Sequence, residues 1–118
     1  MENGEGISMK RPPLEKSFQR KIVNKLKTIP GLYYFVKEAK ALVGIPDIII
    51  CYKGRFIAWE VKRAKSEIYL QNGEFKKEGR HQRQYYEIKK IIEAEGYGTF
   101  IYPENEKECF NDLLSIAD

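Results

Sequence analysis

A chain of 118 residues with 42% hydrophobic, 32% charged and 13% aromatic side chains can bury one core around a sheet and is too short for separate binding and catalytic domains. That composition excludes a wholly disordered chain, a collagen-like chain and a coiled coil. The net charge of +4 conceals a division: residues 1–92 hold 20 Lys or Arg against 10 Asp or Glu, whereas residues 93–118 hold Lys107 against seven acids, so +10 is followed by −6. A basic stretch of this size suits a polyanionic partner.

Met1 to Pro13 is polar, carries two glycines and ends in Arg11-Pro12-Pro13, the pattern of a flexible arm, which leaves residues 14–118 as the single folded domain. Leu14, Phe18, Ile22 and Leu26 recur every four residues, with Lys16, Arg20, Lys21, Lys25 and Lys27 on other faces, and the pattern stops at Pro30-Gly31. This predicts an amphipathic helix with a basic outer face. Leu32 to Lys37, short and rich in aromatic and β-branched residues, reads as a strand. Lys37 to Val43 then crosses to a turn at Gly44-Ile45-Pro46. Asp47 to Tyr52 is an apolar strand suited to a sheet centre, Lys53-Gly54 a turn, and Arg55 to Lys62 the second strand of a hairpin.

An insertion is expected over residues 64–79. There Asn72-Gly73 separates the short runs around Tyr69 and Phe75 and predicts a two-residue hairpin turn projecting from the core. Arg80 to Glu95 sets Tyr85, Ile88, Ile91 and Ile92 on one face of a second helix closing at Gly96. Tyr97 to Tyr102 reads as a strand, and Glu104 to Ile116 as a helix with Cys109, Phe110, Leu113 and Leu114 inward. This order predicts an α/β architecture, a central mixed sheet flanked by helices. No apolar run approaches the roughly 20 residues that cross a bilayer and the N-terminus lacks an apolar signal core, so no membrane partner and a cytoplasmic location are expected. Cys51 and Cys109 supply neither a disulfide framework nor, with the single His81, a zinc spacing, and both are expected as reduced core residues.

Three charged residues occupy a hairpin that should be apolar: Asp47, Glu60 and Lys62. Side chains alternate along a strand, so Ile57, Trp59 and Val61 face the core while Ala58, Glu60 and Lys62 share the other face. Pairing across Lys53-Gly54 brings Asp47 beside them. Two hard oxygen ligands suit Mg²⁺ or Mn²⁺, and a lysine alongside can orient a water or stabilise developing charge, which is equipment for phosphodiester hydrolysis. On residue types alone the alternative is an exposed Glu60–Lys62 cross-strand pair with Asp47 capping a turn.

Gly44-Ile45-Pro46-Asp47, the run Ile48-Ile49-Ile50, a turn, and Phe56-Ile57-Ala58-Trp59-Glu60-Val61-Lys62 closely resemble the PD-(D/E)xK nuclease signature, in particular that of the stand-alone virus-type replication-repair nuclease (VRR-NUC) family of phage and bacterial proteins. The resemblance runs from about Leu14 to Phe100. It implies a restriction-endonuclease-like core of order αβββαβ. Asp47 and Glu60 then look like metal-binding carboxylates, the backbone carbonyl of Val61 a further ligand of Mg²⁺ (or Mn²⁺), and Lys62 the catalytic lysine. Glu15 matches the extra acid of the first helix, at the border of its buried stripe. Either Gln82 or Gln84 matches the family glutamine, with Gln84 on the inward face.

Lys53, Arg55, Arg63, Lys65, Lys76, Lys77, Arg80 and Arg83 are expected around this site as phosphate contacts that lose affinity with salt and read no base sequence. The resemblance implies a metal-dependent endodeoxyribonuclease acting on branched DNA, a four-way (Holliday) junction resolved by a homodimer, with the Ile68 to Phe75 hairpin as the dimer contact. A flap or nonspecific nuclease and a catalytically silent nucleic-acid-binding module are the alternatives.

Overall fold

The four-residue spacing of Phe18, Ile22 and Leu26 builds helix α1 (Glu15–Leu26), which buries that stripe and leaves its lysines exposed. The computed structural model describes residues 14–38 and 44–116; the expected arm, residues 1–13, and most of the expected crossing segment, residues 39–43, lie outside the described residues. Leu14, expected in the stripe, instead sits in extended conformation ahead of the first helical turn and is exposed.

Strands β1 (Leu32–Val36), β2 (Ile48–Tyr52), β3 (Arg55–Val61) and β4 (Tyr97–Ile101) form one mixed sheet in the order β1-β2-β3-β4. The first two pairings are antiparallel and β3 with β4 is parallel. Helix α2 (Gly79–Glu93) makes the crossover between the parallel strands, and helix α3 (Glu106–Ser115) follows β4. The described residues thus form an α/β fold, with a four-stranded mixed sheet and three helices. Among the described residues no helix is long and apolar enough to cross a membrane.

Each sheet face has its own core. On one, Ile48, Ile50, Ile57, Trp59, Val61 and Ile101 meet the stripes of α1 and α3, with Trp59 edge-on to Phe110 at 5.1 Å between centroids. Glu106 of α3 is buried and takes Lys25 at 2.8 Å and Lys21 at 3.3 Å, so part of the acidic C-terminal region neutralises the basic helix internally. On the other face Ile88 of α2 packs with Phe100, Tyr102 and Ile68. Gly98 permits the close approach of α2 to β4, since a Cβ there would lie 3.3 Å from Ile88 Cγ2.

Of the two hairpin turns, the one expected at Lys53-Gly54 is present and the other takes a different form. Lys53 (φ 54°) and Gly54 (φ 78°) are both left-handed, the two-residue type I′ form that matches strand twist. Asn72-Gly73 does not take that form. Only Gly73 is left-handed there, Leu70 O accepts from Gly73 N and Leu70 N donates to Glu74 O, giving a three-residue loop that ends in a glycine bulge. Nor does this hairpin project. Ile68 is fully buried, Tyr69 and Phe75 pack half-buried on the second core, and only Leu70 of its large apolar residues is exposed, so the expected dimer contact lacks its aromatic side chains.

Helix α2 closes in a Schellman motif whose left-handed residue is Glu95 (φ 71°), with Gly96 N donating to Ile91 O. Gly96 is needed for space instead: a Cβ there would fall 2.9 Å from Ile91 Cγ2. Replacing Glu95 by glycine should therefore stabilise the fold by about 0.5–1 kcal/mol, a rise of a few degrees in melting temperature by calorimetry. Three residues expected inward on α2 and α3 are exposed: Tyr85, Ile92 and Leu114. Gln84 and Ile88 hold the buried line of α2 instead, which turns Tyr85 aside onto Phe75 at 5.0 Å. Cys109 is in the core, where burial pushes its thiol up to about 12, but Cys51 is exposed on the sheet face beyond the reach of α2.

Candidate active site

The hairpin register creates the site. Continuing the ladder one residue past Ile48–Trp59 sets Asp47 against Glu60, and Asp47 Oδ2 accepts a hydrogen bond from Val61 N at 2.9 Å. The alternation of β3 sends Trp59 and Val61 to the α1 side, leaving Glu60 and Lys62 on the side covered by α2. Both are buried, at 3% and 4% exposure, which removes the exposed cross-strand pair as an explanation of this Glu-Val-Lys sequence.

Helix α2 lays Gln84 over the pair. Gln84 Nε2 donates to Glu60 Oε2 at 2.7 Å, while Glu60 Oε1 and Gln84 Oε1 are buried without any partner. Gln82, the other candidate for that glutamine, is exposed. The Gln84→Ala change should cost about 1–2 kcal/mol in denaturant unfolding by stranding Glu60, whereas Gln82→Ala should stay within about 0.5 kcal/mol.

Burial, and then the negative charge of Asp47, pushes the Glu60 carboxyl up to about 9, so at neutral pH it carries a proton. Glu15, at the exposed start of α1, is also raised, first by desolvation and then by Asp47, while Lys62 and Arg80 act in the opposite direction. It therefore shares the electrostatic field of the site from its rim.

Two further side chains complete the cluster. Lys37, just past the end of β1, donates from Nζ to Ile45 O at 2.8 Å and stands 3.8 Å from Asp47 Oδ1; its backbone N also donates to Asp47 O. His81, in the first turn of α2, places Nδ1 3.3 Å from Lys62 Nζ. Lys37 could not be found from sequence, because the long connection between β1 and β2 hides their register. His81 had one cue, its position three residues before Gln84 on the same helical face.

The eight basic residues divide. Arg63, Lys65, Lys76, Lys77, Arg80 and Arg83 lie on the segment from the end of β3 into α2, and Arg83 lies over the turn at Gly44 that leads to Asp47. Lys53 and Arg55 sit at the opposite end of the hairpin: Glu60 lies five residues along the strand from Arg55, about 16 Å away. They are not part of this cluster.

Among the described residues no three His, Cys, Asp or Glu side chains gather closely enough to hold a metal by themselves. The donor set nevertheless fits a hard cation. A buried carboxyl oxygen and a buried amide oxygen without partners are costly in an otherwise satisfied core, and Mg²⁺ takes such oxygens from one or two carboxylates while keeping waters and substrate oxygens as its other ligands. Comparison with models of protein families, with curated proteins and with solved structures finds no match for this chain.

Proposed function

We propose that the chain is a Mg²⁺-dependent DNA endonuclease with a restriction-endonuclease-like core, hydrolysing phosphodiester bonds in branched DNA, with the four-way junction cut by two copies as its substrate. The observation that carries this reading is the group of half-buried Asp47 with buried Glu60 and Lys62, with an unpartnered Glu60 oxygen at its centre. Nothing in core packing requires two carboxyls and an ammonium on one sheet face, and burying Glu60 and Lys62 is a cost that stability alone does not account for. The junction and the paired copies rest on the resemblance to stand-alone virus-type nucleases.

Asp47, Glu60 and the carbonyl of Val61 would hold the cation, which when bound polarises the scissile phosphate and lowers the pKa of a water. Asp47 is prepositioned by the Val61 N–H and by Lys37. Lys62 holds its positive charge beside the carboxylates, where charge develops on the phosphate oxygens. Glu15 at the rim can orient a water. Arg63, Arg80 and Arg83 bind flanking phosphates, without selecting a base sequence.

The test is cleavage of labelled four-way junction, flap, linear duplex and single strand, in Mg²⁺ and in EDTA. Paired symmetric nicks on the junction are expected, lost in EDTA and in Lys62→Ala, with DNA binding by Lys62→Ala largely retained. Cutting of all substrates alike would make the protein a general nuclease; binding with no metal-dependent cutting would make it a binding module. Sedimentation of the wild type as a monomer at micromolar concentration would remove the pairing of two copies.

A further inference from the structure

Lys37 and His81 are the two side chains at this site to which the motif gives no part, and His81 is the one that touches the lysine. It lies in the first turn of α2, its side chain 16% exposed, with Nδ1 3.3 Å from Lys62 Nζ. An ammonium has three donors and no acceptor, so Nδ1 must offer its lone pair, which puts the ring hydrogen on Nε2. Nε2 stands 3.9 Å from Glu78 Oε2, the residue preceding the helix. The other polar groups facing the ring are Gln84 from the same helix and Glu67 from the turn after β3.

We propose that His81 is the positioning residue for Lys62: its Nδ1 accepts a hydrogen bond from the ammonium and fixes that side chain's direction toward the carboxylates. Burial, then the charge of Lys62, lowers the pKa of the imidazole, in the direction that favours the neutral ring an acceptor needs. The geometry has a second consequence. Because His81 and Gln84 lie one turn apart on α2, a single helix face holds both Lys62 and Glu60. The effect on catalysis rests on the nuclease reading; the contact itself does not.

His81→Ala, His81→Gln and His81→Asn test it. The Asn Oδ1 occupies the same bond position as Nδ1, whereas the Gln oxygen lies one carbon further out. His81→Ala and His81→Gln should lower kcat about 10–100-fold, the usual effect of losing a group that orients a site side chain, with KM changed by about twofold or less; His81→Asn should restore most of it. In the wild-type protein without DNA, the ¹⁵N resonance of Nδ1 should be that of an unprotonated nitrogen at neutral pH. Acylation of Lys62, followed by peptide mass spectrometry, should accelerate in His81→Ala and slow again in His81→Asn. A protonated Nδ1, equal Lys62 reactivity in all variants, or His81→Asn as impaired as His81→Ala would each overturn the proposal. A wild type that cuts no DNA would remove the nuclease reading alone, because the nitrogen resonance and the lysine reactivity still decide whether His81 holds Lys62.

Discussion

Replacing Glu60 by glutamine is expected to move activity and stability in opposite directions. Under the proposed function activity should fall on the order of 10³-fold, since the amide removes a carboxylate that would hold the metal and several kcal/mol of transition-state stabilisation with it. Stability of the metal-free protein should rise at pH 8. The reason is that the folded-state pKa of Glu60, about 9, lies above its ordinary value of 4.5. Its contribution is therefore fully present below pH 4.5 and is lost progressively as pH rises from 4.5 through 9. Glutamine stays neutral throughout and can still accept from Gln84, so the variant should melt several degrees above the wild type at pH 8, the two converging near pH 4. Added Mg²⁺ should raise the wild-type melting temperature by favouring the ionised carboxyl and should leave Glu60→Gln nearly unmoved. A wild type less stable than the variant at pH 4, or an equal Mg²⁺ response in both, would contradict the assignment of Glu60.

Trp59→Ala should have the largest effect on folding. Trp59 is 2% exposed, lies one residue before Glu60, and packs edge-on against Phe110 where β3 meets α3. Truncation loses the indole contacts and leaves a cavity between two elements that cannot readily collapse onto each other, at a cost of about 3–5 kcal/mol. In a domain of this size that lowers the melting temperature by roughly 10–25 °C. Because the indole faces the side of the sheet opposite Glu60 and Lys62, cleavage per folded molecule at low temperature should change far less. Equal melting of variant and wild type would show that Trp59 does not join these layers.

Much of the fold was legible because it rests on local periodicity. Phe18, Ile22 and Leu26 mark α1 by spacing, and the alternation around Trp59 marks which face of β3 is charged. The juxtaposition of Asp47 with Glu60 followed from a two-residue turn at Lys53-Gly54, and the register has it. What remained hidden depends on long-range packing. Tyr85 was expected inward together with Gln84, yet only Gln84 takes the buried place, where it donates to Glu60, and Tyr85 turns aside onto Phe75. Cys51 was expected buried from its apolar neighbours, but α2 covers β3 and β4 and leaves that stretch of β2 in solvent. Asn72-Gly73 resembles a tight turn more strongly than Lys53-Gly54 does. The chain gives the tight turn to Lys53-Gly54, between two central strands whose twist is fixed by their neighbours.

The parallel crossover has a dynamic consequence. Asp47, Glu60 and Lys62 belong to an antiparallel hairpin of neighbouring segments, whereas Gln84 and His81 arrive on α2, which is fastened to the sheet chiefly through β4. Strand β4 is itself held in the first core by Ile101 and paired along β3, so α2 is the element expected to lift away first, which faster amide exchange along α2 than along β4 would show. Such an opening strips both supporting groups from the carboxyl and the ammonium at once and exposes them to water. Under the proposed function the open form is folded but idle, and its population, readable from amide exchange along α2, sets a ceiling on the fraction of molecules competent to act at any instant.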